Sequence, residues 1–365
     1  MVEKRCETKK IVHVLADEPR GGVGAFLLNT LSDDHAYEIV EYTLQEDSYF
    51  NQEMAKRGIR LHSFPRHTEV YHYNQAVREF YKTRAKEIAL VHVHSTAVAP
   101  FHLFWAKFYG IQTRTIHLHS NYLKGISLLR KWRNQSILSF IFSLATDIVT
   151  CGEKVASLVP KSRSFTILPN TIRVPDFRFD EAKRNVVRQD LGLQDKIVIG
   201  IVGRISKEKN HIFLLDIFKS LPDQYVLVVI GDGPLEASLK EKCRQDGLSN
   251  ILFLGRQSNI ADYLHALDAL AMPSFVEGFP LVALEAQANG LPCFFSEVVD
   301  RSVQVTDYVT FNSIDDSSQW LQSFQTFRPV STETRMEANQ RVFQTFDIHV
   351  GREKLGQFYK KLLEK

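Results

Sequence analysis

Short β-branched runs alternate with amphipathic stretches along almost the whole chain, and this alternation restricts the fold more than any single motif. The first half offers IVHVLA (11–16), YEIVEYT, ALVHVH (89–94), RTIHLH (114–119), TDIVT and FTIL (165–168). The second offers KIVIGIVG (196–203), YVLVVIG (225–231), NILFLG (250–255), ALAMP and LPCFF. Helical patterns such as EKNHIFLLDIFKSL and PLEASLKEKCRQDG lie between them. Apolar strands separated by helices are the signature of βαβ units on parallel sheets covered on both faces. The pattern restarts near Lys196, after the weakly periodic stretch LPNTIRVPDFRFD, which marks a linker. The expected architecture is therefore α/β, with two Rossmann-like doubly wound domains facing across a cleft. Residues 1–172 form the first and 173–345 the second, while 346–365 form a C-terminal helix packing back toward the first. At 365 residues the chain has the length for two such cores. Ligands of such sheets sit beyond the carboxyl ends of the strands, so the strand-to-helix loops are where chemistry is expected.

Composition narrows the classes. The content of 44% hydrophobic and 24% charged residues is that of a globular protein. A net charge of +3 gives no footing for a nucleic-acid partner. Cys6, Cys151, Cys243 and Cys293 are far apart and form no zinc pattern, consistent with reduced thiols in a cytosolic chain. The opening MVEKRCETKK does not have the shape of a signal peptide. The longest apolar run, ILSFIFSLA, falls short of the roughly twenty residues that span a bilayer. A cytoplasmic location follows as the expectation.

Three loops are candidates for holding phosphate. DEPRGGVGAF follows the first strand, and Gly21, Gly22 and Gly24 allow close approach of the backbone to a ligand. GIVGRISKEKNH sets Gly203 and Arg204 at a strand end, with Lys209 at the entry to a helix. A guanidinium fork and a lysine point charge beside free helix amides suit a diphosphate, although a solvated basic loop has the same composition. GDGP (231–234) reads as a tight turn and no more. No Walker A sequence and no GxSxG elbow occurs. The pairs His92/His94 and His117/His119 each share a strand face. With no carboxylate at matching spacing, no metal site is expected. His94 and His119 should instead end their strands at the cleft edge, with His92 and His117 deeper.

The stretch EGFPLVALEAQANGLP (277–292) carries two glutamates eight positions apart. Pro280 suits the first turn of a helix and Gly290 the position just past its end. Amides of Gly278, Phe279 and Leu281 then lie at or near a positive helix terminus, which suits a phosphate. Glu277 and Glu285 on either side suit neutral hydroxyls, toward which a carboxylate only accepts. Sugar at one end, ribose at the other and diphosphate between describe a nucleoside diphosphate sugar.

The ordered set GGVG, HLHS, LPNTI, GRISKEKN, GDGP, FLGRQSNIADYLHALDALAMPS and EGFPLVALE resembles the family 4 retaining glycosyltransferases of GT-B fold, nearest the exopolysaccharide and capsule branch. The resemblance covers nearly the whole chain. It implies that Arg204 and Lys209 neutralise the donor diphosphate, that Glu277 holds the transferred sugar and that Glu285 holds the ribose. It further implies that His119 lies near the sugar, and that Gly22, Gly203, Arg256, Gly278, Phe279, Pro280 and Leu281 line the donor site. The donor is expected to be a UDP-linked hexose or N-acetylhexosamine and the acceptor a growing, lipid-linked saccharide. No cofactor and no metal are expected. The linker departs from the family's usual PNG by placing Thr171 after Asn170. Two rivals stand beside this reading: a nucleotide-sugar 2-epimerase of the same fold, and a non-catalytic scaffold subunit of a glycosyltransferase pair. The paired glutamates argue against the first, and the intact Arg204, Lys209, Glu277 and Glu285 against the second. Finally, YLKGISLLRKWRNQSILSFIFSLA (122–145) gathers Lys124, Arg130, Lys131 and Arg133 beside Trp132 before turning apolar. That pattern fits a helix lying in an anionic membrane surface, and equally a helix whose Ile137, Phe140, Ile141 and Leu144 face the core.

Overall fold

The computed structural model describes residues 9–16, 22–32, 35–42, 48–120 and 128–364. They belong to two compact units, Met1–Thr171 with His349–Lys365, and Ile172–Ile348. In the first unit the described strands are β1 (Lys10–Val14), β2 (Tyr37–Tyr42), β3 (Arg60–Phe64), β4 (Ile88–Val93), β5 (Thr113–Leu118), β6 (Asp147–Thr150) and β7 (Thr166–Ile167). They form one parallel sheet in the order β3-β2-β1-β4-β5-β6-β7. In the second unit β8 (Ile197–Val202), β9 (Tyr225–Ile230), β10 (Ile251–Gly255), β11 (Ala269–Met272), β12 (Cys293–Ser296) and β13 (Val309–Asn312) form another, in the order β10-β9-β8-β11-β12-β13. Each unit is thus a Rossmann-like doubly wound domain. In each sheet the order reverses beside the first strand, between β1 and β4 and between β8 and β11, which is where such sheets bind ligands.

The interior strands are the apolar runs of the sequence, buried on both faces. In the first unit Ile11, Ile39 and Leu90 pack with Phe26 and Leu27 of the helix Gly22–Thr30. Leu355, Phe358, Tyr359 and Leu362 join that core from the helix Ile348–Leu363. Full burial of such side chains stabilises by about 1.5–3 kcal/mol each, so this late helix is a large part of the first core. Its Gly351 is needed for proximity, since a Cβ there would meet Thr171 Oγ1 at 2.6 Å. Thr171 itself accepts a hydrogen bond from Asn29 Nδ2 on its carbonyl at 2.7 Å. Among the described non-glycine residues positive φ occurs at Asn210, so the departure from PNG leaves no left-handed strain at the linker. The core of the second unit gathers Leu214, Phe218, Leu227, Trp320 and Phe324.

Two strands were not expected from the sequence, β3 and β13. Both are sheet edges, and their residues are in part exposed, so neither has the continuous apolar run of a buried strand. Among the described residues no helix is long and apolar enough to cross a membrane. Gly21 and Lys124 lie outside the described residues, as do the side chains of Arg130 and Lys131.

Candidate functional site

In the second unit the chain leaves β8 at Gly203, whose φ of 143° favours glycine. Arg204 follows, exposed and without a hydrogen-bond partner among the described residues. Ile205 next to it is fully buried; its amide donates to the Asp232 carbonyl at 2.8 Å and its carbonyl accepts from the Leu235 amide at 3.2 Å. The loop GDGP is therefore more than the tight turn it resembles. A Cβ on Gly231 would collide with the Gly203 carbonyl, and one on Gly233 with the Ile205 backbone. GDGP is the bed on which the arginine loop rests.

The same loop is fastened on its other side to the one after β11. Asn210 takes a left-handed conformation (φ 56°, ψ 41°), and its Nδ2 donates to the Pro273 carbonyl at 3.1 Å. The Phe275 amide donates to the Glu208 carbonyl at 2.8 Å. Within this frame Lys209 Nζ lies 2.6 Å from Glu277 Oε1, which also accepts from Ser274 Oγ at 2.6 Å. Lysine and glutamate, assigned to different parts of a donor, are thus already one partly buried ion pair. Spacing of 68 residues hides such a pair from a linear reading.

The helix Leu281–Ala288 begins one residue later than expected, with Pro280 at its N-cap and no side chain capping it. Its first amides lack intrahelical partners and carry the positive end of the dipole. The Phe279 side chain is buried with its ring 5.5 Å from that of Phe346, which leaves its backbone as the part that can meet a ligand. Gly290 closes the helix at φ 75°. Arg256 follows the end of β10 and is exposed. Glu285 is half-buried on the helix between the buried Ala283, Ala286 and Ala288. Its carboxylate has no hydrogen-bond partner among the described residues, and desolvation pushes it up to about 7.

In the first unit the loops of the switch point carry histidines. His13 on β1 pairs in register with His92 on β4. His94 and His119 follow the last residues of β4 and β5, one step beyond His92 and His117 on the same face. The structure adds His13, which the sequence pattern did not single out because it sits alone in its strand. The five imidazoles stack, with Phe26 edge-on to His117 and His119 at 4.9 and 5.7 Å. His119 Nε2 lies 2.9 Å from His94 Nδ1, and His94 Nε2 lies 2.9 Å from His13 Nδ1. Tyr359 Oη joins His13 Nε2 at 3.2 Å to His92 Nδ1 at 2.7 Å. Burial lowers all five, His13 and His119 to about 3. At neutral pH they are uncharged. Gly22 opens the helix after β1, where a Cβ would stand 3.5 Å from Asn170 Nδ2.

The raised carboxyl of Glu285 carries a stability signature. A group whose folded pKa, about 7, exceeds its reference value of 4.5 takes up a proton on folding between those values. Stability is then lost as pH rises through that window. Glu285→Gln removes the titration, so its gain in thermal midpoint over the wild type should be larger at about pH 8 than at about pH 4.5. A difference independent of pH, read by calorimetry, would overturn the assignment of a desolvated carboxyl.

Comparison with known proteins bears on the second unit first: residues 183–322 match the family described as glycosyl transferases group 1. Over 311 residues, 81% of each chain, the protein is 29% identical to EpsF of Bacillus subtilis (strain 168), whose name assigns it as a glycosyltransferase. It is 28% identical over 239 residues, 60% of each chain, to the UDP-Gal:alpha-D-GlcNAc-diphosphoundecaprenol alpha-1,3-galactosyltransferase of Escherichia coli. Among solved structures, Anabaena Alr3699/HepE in complex with UDP superposes with a TM-score of 0.81 at 16% identity, over 97% of this chain and 100% of that one. WaaG, a glycosyltransferase involved in lipopolysaccharide biosynthesis, does so with a TM-score of 0.70 at 17% identity, over 95% and 99%. With two Rossmann-like domains of GT-B type, the second carrying the glycosyl transferases group 1 match, this chain is similar to glycosyltransferases, some of them from polysaccharide biosynthesis.

Proposed function

We propose that the protein moves a hexosyl or N-acetylhexosaminyl group, with retention, from a UDP sugar to a lipid-linked saccharide in exopolysaccharide or capsule synthesis. The observation that carries this reading is the stitched pair of loops at the β8/β11 switch point. They hold a free guanidinium, a lysine–glutamate pair and an uncapped helix N-terminus in one frame. In the reaction the bond from the anomeric carbon to the phosphate oxygen breaks and a bond to the acceptor oxygen forms on the same face. The acceptor proton passes to the departing phosphate. The charge that grows on the diphosphate is met by Arg204, by Lys209 turning from Glu277, and by the amides at the start of Leu281–Ala288. Ser274 keeps Glu277 in place to accept from sugar hydroxyls, and Glu285 accepts from the ribose. Arg256, Gly22 and Gly203 complete the donor's surroundings, and a part for His119 beside the sugar rests on the family resemblance. UDP is preferred over GDP because the Escherichia coli relative is named for UDP-Gal and the HepE structure contains UDP.

Arg204→Ala and Lys209→Ala should each lower the transfer rate roughly a hundredfold or more, since preorganised charge in a closed site is worth several kcal/mol. Glu285→Gln should weaken UDP binding while Glu277→Gln spares it. Near wild-type turnover in both cation variants, in an assay of UDP release with and without acceptor, would sink the assignment. Release of an epimerised sugar without acceptor would favour a 2-epimerase instead.

Because side chains and amides do the charge stabilisation, transfer should persist in EDTA. Loss on chelation that magnesium or manganese restores would overturn this mechanism.

Peripheral attachment to the inner face of the plasma membrane is part of the same proposal. On the helix Leu128–Leu144 the apolar residues divide: Leu138, Ile141, Phe142 and Leu144 are buried, whereas Trp132 is 72% exposed and Phe140 48%, with Ile137 beside them. Arg133 is exposed on the same helix. The neighbouring helix Ala99–Phe108, packed against it, adds exposed Phe104 and Phe108. Aromatic rings and basic residues outside a packed face suit an anionic bilayer interface. The protein should co-sediment with anionic but not neutral vesicles at low salt, and lose this when Lys124, Arg130, Lys131 and Arg133 become glutamate. A wild type that stays in the supernatant would point to a soluble acceptor.

A further inference from the structure

The histidine stack of the first unit contains an unexplained vacancy in its hydrogen bonding. His117 is fully buried, yet among the described residues neither ring nitrogen has a hydrogen-bond partner, and Nδ1 of His119 is likewise without one. Whichever tautomer His117 adopts, one donor and one acceptor go unmet, at about 1–3 kcal/mol for each. The rings around it are neutral imidazoles whose lone pairs are available. One nitrogen from each of His94, His117 and His119 lies within 4.8 Å of the others. They hang from the ends of two paired strands, so little ordering is left to be done.

We propose that His94, His117 and His119 form a binding site for a borderline-soft transition-metal cation, of which zinc is the type. The ligand set decides the class. Imidazole nitrogens suit zinc, copper or nickel, while a trio without a carboxylate is poor for magnesium, calcium or manganese. Zinc binds imidazole at about 2.0–2.1 Å, which sets tetrahedral nitrogens about 3.3 Å apart. His94 Nδ1 and His119 Nε2, at 2.9 Å, need to part by only a few tenths of an ångström. The proton they share does not have to leave the protein. It moves to the other nitrogen of its own ring, either to the Nδ1 of His119 or to His94 Nε2; in the second case His13 shifts its own proton from Nδ1 to Nε2, toward Tyr359 Oη, and accepts from His94 on Nδ1. Three nitrogens leave the fourth position of an open zinc site for water or an anion, which a divalent charge beside neutral ligands requires. Access lies at His119, the half-buried member, next to exposed Ser120. The charge stabilisation proposed for the diphosphate rests on Arg204, Lys209 and helix amides of the other unit, so His119 is the one residue to which both proposals give a part.

The test is zinc binding by the full chain, freed of metal with a chelator and titrated calorimetrically with zinc chloride. One equivalent should bind, magnesium and manganese chlorides should not compete, and X-ray absorption should show a nitrogen shell at about 2.0–2.1 Å. His117→Gln should lose at least tenfold in affinity. His119→Gln, at the half-buried end, should do the same and serves if the buried substitution fails to fold. The proposal is overturned if no saturable binding occurs at micromolar zinc. It is also overturned if a folded variant binds as tightly as the wild type, which would assign the metal to surface histidines. Neither readout requires transferase activity, so failure of this site and failure of the proposed reaction are separately visible.

Discussion

At the ends of β8 and β9 the backbone comes so close to itself that side chains have no room. Gly231 lies against the Gly203 carbonyl and Gly233 against the Ile205 backbone. This contact governs the rest of the candidate donor site. It fixes the arginine loop from below, and the left-handed Asn210 and the Phe275 amide fix it from the side. The backbone from which Arg204 projects is therefore held in place, while its exposed side chain is free of hydrogen bonds among the described residues. A fixed backbone is part of the preorganisation that makes a cation count in a transition state.

The site also stores its own counter-charges. Lys209 and Glu277 neutralise each other at 2.6 Å with Ser274 as a third partner, and Glu285 stands desolvated with no partner among the described residues. A partly buried lysine without its glutamate, or the reverse, would carry an uncompensated charge. A ligand offering an anion to the lysine and hydroxyls to the acid replaces one set of partners by another. A ligand offering only one of these leaves the other group stranded. Of the two, only a molecule with both features would leave neither group stranded.

Much of this was legible in the sequence, for identifiable reasons. Interior strands announce themselves as apolar runs because both faces are covered, and the loops with Gly203 and Pro280 follow from where those runs stop. What was missed depends on partners distant in sequence. β3 and β13 are edges with only partial burial. GDGP looks like any tight turn until the Gly203 carbonyl is seen against it. His13 is one histidine in an apolar strand, and only the parallel pairing of β1 with β4 sets it beside His92. The Lys209–Glu277 pair joins two motifs that read as separate. Local chemistry was visible; the stitching was not.

The helix Ile348–Leu363 has a bearing on how the protein is made. Leu355, Phe358, Tyr359 and Leu362 belong to the core of the unit whose sheet begins at Lys10, yet the whole of Ile172–Ile348 separates them from it in sequence. The crossings are tied together, Ile172 pairing with Asp347 in a bridge and accepting the Ile348 amide on its carbonyl at 3.1 Å. On the ribosome, then, the half that emerges first waits with an open apolar face until the last helix is translated. The described strands and core cluster of the second half, by contrast, all lie within Ile172–Ile348. Synthesis order and completion order therefore run opposite ways for these two cores.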